Sequence, residues 1–309
     1  MTEAALAGRL GGLLFFPVTP YGPDGSVNLD AYRAHVRAGI DAGAGAVFAA
    51  CGTGEFHALT PDEFGAVVAT AVEVTAGAVP VVAGTGYGTG MAVDLARRAE
   101  AAGADGLLAL PPYLVVAPQD GLVRHYAAIA AATALDVIVY QRDNAVFTPE
   151  TVVRLARTPG IVGLKDGLGD LDLLQRTISA VRAELPGSAF RYFNGLPTAE
   201  LTGLAYRGLG VHLYSSAVFC FAPEIALAFH AALAADDRET TTALLDGFYR
   251  PLVELRNQGR GYAVSLVKAG VRLRGLDVGP VRAPFSEPEP AHVERLARLV
   301  ETGLTLVKP

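Results

Sequence analysis

Short uninterrupted apolar runs alternate with longer Ala-rich stretches whose apolar positions recur every three to four residues, through about the first 230 positions. The runs at 13–16, 46–49, 79–83, 106–110, 137–140, 161–164, 190–193 and 211–214 read as strands. The stretches at 29–42, 61–75, 90–102, 119–133, 149–157, 170–184 and 198–207 read as amphipathic helices. Thr60-Pro61-Asp62-Glu63 sets a capping threonine before proline and two acids, a strong helix start, and Thr148-Pro149-Glu150 repeats it. Strands apolar on both faces and separated by helices imply a parallel sheet covered on its outside. Eight such units predict an α/β fold of the (β/α)8 TIM-barrel type; a doubly wound open sheet is the alternative. The remainder, from about Pro223 onward, has no strand alternation and reads as helices, with a proline-rich loop at 284–290 before a last helix at 291–302. The expected division is a catalytic barrel over 1–230 and a C-terminal helical extension over 231–309 packed upon it.

At 51% hydrophobic and 18% charged, the chain can bury a large core and does not read as disordered. Its net charge of −6 argues against nucleic acid or an anionic lipid surface as partner. The longest uncharged run, 74–93, contains five glycines and Pro80, so it breaks into strand, loop and helix and cannot be a membrane helix. Two cysteines make no disulfide framework, and the start of the chain is a poor signal peptide. A soluble, cytoplasmic protein is expected.

Lysine is almost absent: of 25 basic residues only Lys165, Lys268 and Lys308 are lysines. Lys165 closes the apolar run 161–164, ahead of an Asp166-Gly167 turn. A partly desolvated amine there is pushed below its usual pKa of about 10.4. Unlike arginine, it can then lose its proton and attack a carbonyl. A strand-end lysine snorkelling to solvent is the plainer reading.

In a barrel of this kind chemistry sits beyond the C-terminal ends of the strands. Those positions hold Gly52, Thr53 and Glu55 after the second strand, Tyr140, Arg142 and Asn144 at the fifth, and Lys165 at the sixth. Gly195 follows the seventh strand, and Ser215 and Ser216 the eighth. Tyr140, one strand before the lysine, is either a core tyrosine or a proton shuttle. Gly52 and Thr53 form either a simple turn or a carboxylate cradle of backbone N–H groups and a hydroxyl. Arg142 can pair bidentately with a carboxylate or form a surface ion pair. The glycines at 84, 86, 88 and 90 miss the dinucleotide fingerprint, since its last position falls on Thr89. No serine-nucleophile elbow or paired-histidine zinc motif occurs, and Cys51 and Cys220 have no third soft ligand, so no metal is expected. His35, His125 and His230 fall on helices, where a surface role is the default.

Several runs resemble the dihydrodipicolinate synthase / N-acetylneuraminate lyase superfamily of Schiff-base barrels. They are Phe16-Pro17-Val18-Thr19-Pro20, Gly52-Thr53-Gly54-Glu55-Phe56 and Gly163-Leu164-Lys165-Asp166-Gly167. Further runs are similar to its 5-dehydro-4-deoxyglucarate dehydratase branch: Gly195-Leu196-Pro197-Thr198-Ala199-Glu200, Tyr214-Ser215-Ser216-Ala217-Val218-Phe219, and the stretch from Gly261 to Pro284. The resemblance implies Lys165 as Schiff-base residue and Tyr140 as proton carrier. Gly52, Thr53, Arg142, Asn144, Gly195, Ser215 and Ser216 are implied as contacts to a keto-deoxy sugar diacid. It further implies dehydration with decarboxylation to 2,5-dioxopentanoate, no cofactor beyond the lysine adduct, and a homodimer or homotetramer. A pyruvate-dependent aldolase and a non-catalytic sugar-acid-binding barrel are the alternatives. The synthases lend a tyrosine across a dimer interface where this chain has Leu114, which argues against synthase activity. Cys51, Gln141 and Cys220 depart from the branch near the expected pocket and bear on substrate identity.

Overall fold

The computed structural model describes residues 6–308. Eight parallel strands close into a barrel in sequence order: β1 Leu14–Phe15, β2 Ala46–Ala49, β3 Val81–Thr85, β4 Gly106–Ala109, β5 Asp136–Gln141, β6 Ile161–Asp166, β7 Arg191–Asn194 and β8 Leu213–Ser216. β8 pairs back onto β1 through Leu14 with Ser215 and Phe15 with Ser216, so no sheet edge is left exposed. The expected closed barrel is therefore the fold, and the open sheet is not.

Period-two alternation sorts the strand residues into two cores. Leu14, Phe16, Ala46, Phe48, Val82, Leu108, Ile138, Tyr140, Phe193 and Leu213 share one cluster, the barrel interior. Their neighbours Phe15, Val47, Val81, Leu107, Val137, Val139, Leu164 and Tyr214 belong to the larger cluster under the helices. Strand β6 changes phase. Val137 pairs with Ile161, but Ile138 pairs with Gly163, which leaves Val162 as the extra residue of a bulge. Ile161 and Leu164 thus both face the helices, and Lys165 turns inward opposite Tyr140 and Phe193. The expected turn at Asp166 is the last position of the strand instead, held there by pairing with Gln141 and Asn194.

The helix Pro61–Thr75 carries the full capping box: Thr60 Oγ1 accepts from Glu63 N at 3.2 Å, and Thr60 N donates to Glu63 Oε2 at 2.9 Å. The expected helix at 198–207 is split into a 3-10 turn, Ala199–Thr202, and a short helix, Gly203–Gly208. Asn194 Nδ2 claims the Ala199 carbonyl at 3.0 Å and the Thr202 hydroxyl at 2.9 Å, which tightens that turn. His35 and His125 are buried, contrary to the surface role expected for them. His35 packs edge-on to Phe15 at 5.2 Å, and burial lowers its pKa to about 4. His125 Nδ1 lies 2.9 Å from the Thr89 hydroxyl.

The helix Pro223–Ala234 runs unbroken across residue 230, and Arg238–Leu244, Arg250–Arg256, Tyr262–Leu273 and Pro290–Leu306 complete the extension. The last helix is longer than the expected 291–302 by one residue at its start and about one turn at its end. No helix is long and apolar enough to cross a membrane among the described residues.

Candidate active site

A cavity of about 300 Å³ opens at the C-terminal ends of the strands. Lys165 stands in its floor, 5% exposed, with Nζ 4.2 Å above the Phe16 ring and 4.5 Å from the Tyr140 ring. Burial lowers the amine from 10.5 to about 7; nearby Cys51 opposes that fall and Arg142 adds to it. Near neutrality a large fraction is therefore the free amine, the form that attacks carbonyl carbon. Two glycines make this packing possible. A Cβ on Gly195 would sit 2.7 Å from Lys165 Cγ and 2.9 Å from Tyr140 Cε2, and one on Gly167 would lie 2.8 Å from the same tyrosine carbon.

The Tyr140 hydroxyl donates to the Gly195 carbonyl at 2.7 Å, and burial holds it above the ordinary phenol value while Arg142 pulls the other way. It stays protonated near neutrality, with its proton aimed across the cavity floor. Arg142 lines the cavity wall and spends Nε on Asp143 at 2.7 Å, so both readings of this residue hold together. Gly52, Thr53, Gly195 and Ser215 line the cavity as well.

Two expected contacts lie elsewhere. Ser216 is one residue out of phase with Ser215, so it faces the helix layer and donates to Glu200 Oε1 at 2.5 Å. Asn144 Nδ2 donates to the carbonyls of Pro112 at 2.7 Å and Val115 at 2.5 Å, fixing the loop after β4. Gln141 is also outward. Its Nε2 donates to Asp166 Oδ1 at 3.1 Å and its Oε1 accepts from Phe147 N at 2.9 Å, so it supports the strands and not the pocket. Cys51 is buried in the barrel interior, and burial pushes its thiol up to about 12. Cys220 lies on the helix side and donates to the Phe16 carbonyl at 3.1 Å.

Sequence reasoning missed the residues that close the cavity from the extension. Ala263, Val264 and Phe285 form its roof, and the His57 ring meets Phe285 edge-on at 4.7 Å. They are apolar and distant in sequence, so no motif marks them. The joint beneath them had a signal. Lys268 is a cation inside an apolar helix, and it is fully buried with Nζ at 2.9 Å from Glu55 Oε1, 2.8 Å from Thr19 O and 2.7 Å from Pro280 O. Arg282 N donates to the second Glu55 oxygen at 2.9 Å. Glu55, in the left-handed region at φ 55°, thereby ties the β2 loop to the extension. No group of three His, Cys, Asp or Glu residues placed to hold a metal occurs among the described residues.

This constellation, a desolvated lysine between two rings on β6 of a closed barrel, coincides with the reach of one family profile, the dihydrodipicolinate synthetase family, over residues 9–302. The chain belongs to that family. It is 71% identical to a Streptomyces coelicolor protein named probable 5-dehydro-4-deoxyglucarate dehydratase 1, over 100% of this chain and 98% of the relative. The identity to its Streptomyces avermitilis counterpart of the same name is also 71%, over 100% and 99%. Among solved structures, dihydrodipicolinate synthase from Bacillus clausii matches with a TM-score of 0.87 at 25% identity, covering 96% of this chain and 98% of that one.

Proposed function

We propose that the chain is a Schiff-base hydro-lyase that converts 5-dehydro-4-deoxy-D-glucarate to 2,5-dioxopentanoate, carbon dioxide and water. The observation that carries this reading is the lowered amine of Lys165 inside a cavity that also holds an arginine. The two Streptomyces relatives, alike over their whole length, supply the substrate.

Lys165 adds to the ketone beside one carboxylate and forms an iminium that withdraws electrons from the neighbouring methylene. Loss of a proton there gives an enamine, which expels the adjacent hydroxyl. Tyr140, protonated and oriented, donates to the departing oxygen. The conjugated iminium then accepts the electron pair of the distal carbon–carboxylate bond as carbon dioxide leaves. Protonation of carbon and hydrolysis release the product and the amine. The iminium is the electron sink, so the scheme needs no other cofactor.

Gly52 and Thr53 offer donors to the carboxylate beside the ketone, and Arg142 is the cation for the distal one. Ser215 and Gly195 border the hydroxyl-bearing carbons. Asn144 and Ser216 act indirectly, through the loop after β4 and through Glu200. That loop exposes Tyr113, Leu114, Val115 and Val116 in succession. So long an apolar run fits burial against a second copy, in a homodimer or in a homotetramer built from two dimers. A small-molecule substrate with neither nucleic acid nor membrane as partner, and a cytoplasmic location, complete the reading.

Borohydride reduction in the presence of substrate should add the substrate's mass at Lys165, and turnover should release carbon dioxide with 2,5-dioxopentanoate. Pyruvate and an aldehyde would point to an aldolase, and saturable binding without turnover to a sugar-acid-binding barrel. Turnover that survives in Lys165→Ala would overturn the scheme.

A further inference from the structure

At neutral pH the proposed substrate is a dianion, whereas the organic product is a monoanion. With carbon dioxide and water as the other products, charge balance requires one proton to enter per turnover. The cavity floor is lined by rings and glycines, and the Tyr140 proton that leaves with the hydroxyl must itself be replaced. A route by which protons reach this floor is thus a requirement of the chemistry.

Glu200 is a carboxyl that the mechanism leaves without a role. It is 1% exposed, Oε1 accepts from Ser216 Oγ at 2.5 Å, and Oε2 has no hydrogen-bond partner. It lines a narrow crevice of about 30 Å³. That is room for a water. The crevice shares Pro197, Ala217 and Ala263 with the substrate cavity, so one layer of residues separates the two. On its other side it meets Arg256, whose Nη1 donates to Thr198 Oγ1 at 2.6 Å, and half-exposed Thr198 and exposed Pro197 bring it to the surface.

The groups around the carboxyl keep it neutral. Burial raises Glu200 to about 7, and the hydrogen bond from Ser216 opposes this only in part. Tyr214 on β8 and Tyr249 at the end of the π-helical segment Leu245–Tyr249 are held well above the phenol value by burial and then by Glu200 itself. A π-helical turn on the element that brings Tyr249 to a buried acid is a frequent mark of a functional position. Arg256 and Tyr262 complete the ring across the crevice.

We infer that Glu200 is a proton-relay residue: its carboxylic acid passes a proton by way of a crevice water to the substrate cavity, and the carboxylate is reprotonated from solvent past Arg256. No bond to substrate is involved, so Glu200 acts through the water and not as a catalytic residue. The inference rests on the Schiff-base reading of Lys165.

Glu200→Gln keeps the shape and the contact to Ser216 while removing the ionisable proton. We expect kcat to fall by about 10- to 100-fold, KM to stay within about twofold, and borohydride to trap the Lys165 adduct in wild-type yield. The alkaline limb of the wild-type kcat profile near pH 7 should flatten, because only protonated Glu200 can donate. Unchanged kcat with an unchanged profile would overturn the inference, as would parallel loss of adduct, turnover and melting temperature. If the variant does not fold, the infrared band of the protonated acid in the wild type decides. It should bleach and recover during a single turnover, and a constant band would refute the relay. A wild type that forms no adduct and releases no carbon dioxide would instead refute the underlying functional reading.

Discussion

Lys165→Met should make the protein more stable while abolishing turnover. An unfolded chain carries this amine at 10.5, whereas the folded one holds it at about 7. At about 1.4 kcal/mol per pH unit, keeping the residue buried costs the fold about 4 kcal/mol at pH 7. The Phe16 and Tyr140 rings, 4.2 and 4.5 Å from Nζ, return about 1–2 kcal/mol to the charged form. The remaining cost is about 2–3 kcal/mol, which methionine, of similar length and apolar, does not incur. For a chain of this size that corresponds to a rise in Tm of about 5 °C. The pH dependence gives the sharper signature. Between the folded and unfolded values the unfolded state holds a proton that the folded state has lost, so wild-type stability rises with pH across that window. The advantage of the variant must therefore be greatest near pH 7 and vanish as pH approaches 10.5. Urea unfolding of both proteins across this range tests it, since all other titrating groups cancel in the difference. Equal stability at pH 7, or a difference independent of pH, would show that the amine is not desolvated.

Gly195→Ala should lower kcat by about tenfold or more, because its Cβ would meet Lys165 Cγ at 2.7 Å and displace the nucleophile; steady-state kinetics alongside circular dichroism separates this from misfolding. Glu55→Gln should destabilise by about 3–5 kcal/mol by leaving the Lys268 charge buried and unpaired, and the double change with Lys268→Met should recover part of that loss in chemical denaturation. Gln141→Asn should cost about 1–2 kcal/mol, since the shorter amide cannot span both Asp166 and Phe147, and should leave KM for the diacid within about twofold.

How much of this was legible in sequence depends on the range of the interaction. The strands announce themselves because both faces of a covered parallel sheet are apolar, and the caps at Thr60 and Thr148 are local devices. Lys165 was legible through its rarity in an arginine-rich chain. Which polar residues face the cavity was less so, because loop and strand end look alike and one position of phase decides. Ser215 and Ser216 are chemically identical, yet the closing register of β8 on β1 sends one to the cavity and the other to Glu200. Gln141 and Asn144 likewise read as site residues until the structure gives them partners of their own. The roof from Phe285, Ala263 and Val264 depends on how the extension folds back, and nothing local encodes that.

The bulge at Val162 makes the lysine's direction a question of odd and even. Removing Val162, or inserting one residue before Leu164, would swing Lys165 out among the helices and Leu164 into the barrel, with the composition of the strand otherwise unchanged. Chemistry on this strand is therefore hostage to residue count. A designer wishing to silence the barrel without touching its nucleophile needs only to shorten the run ahead of it by one, and could restore it by lengthening that run again nearby.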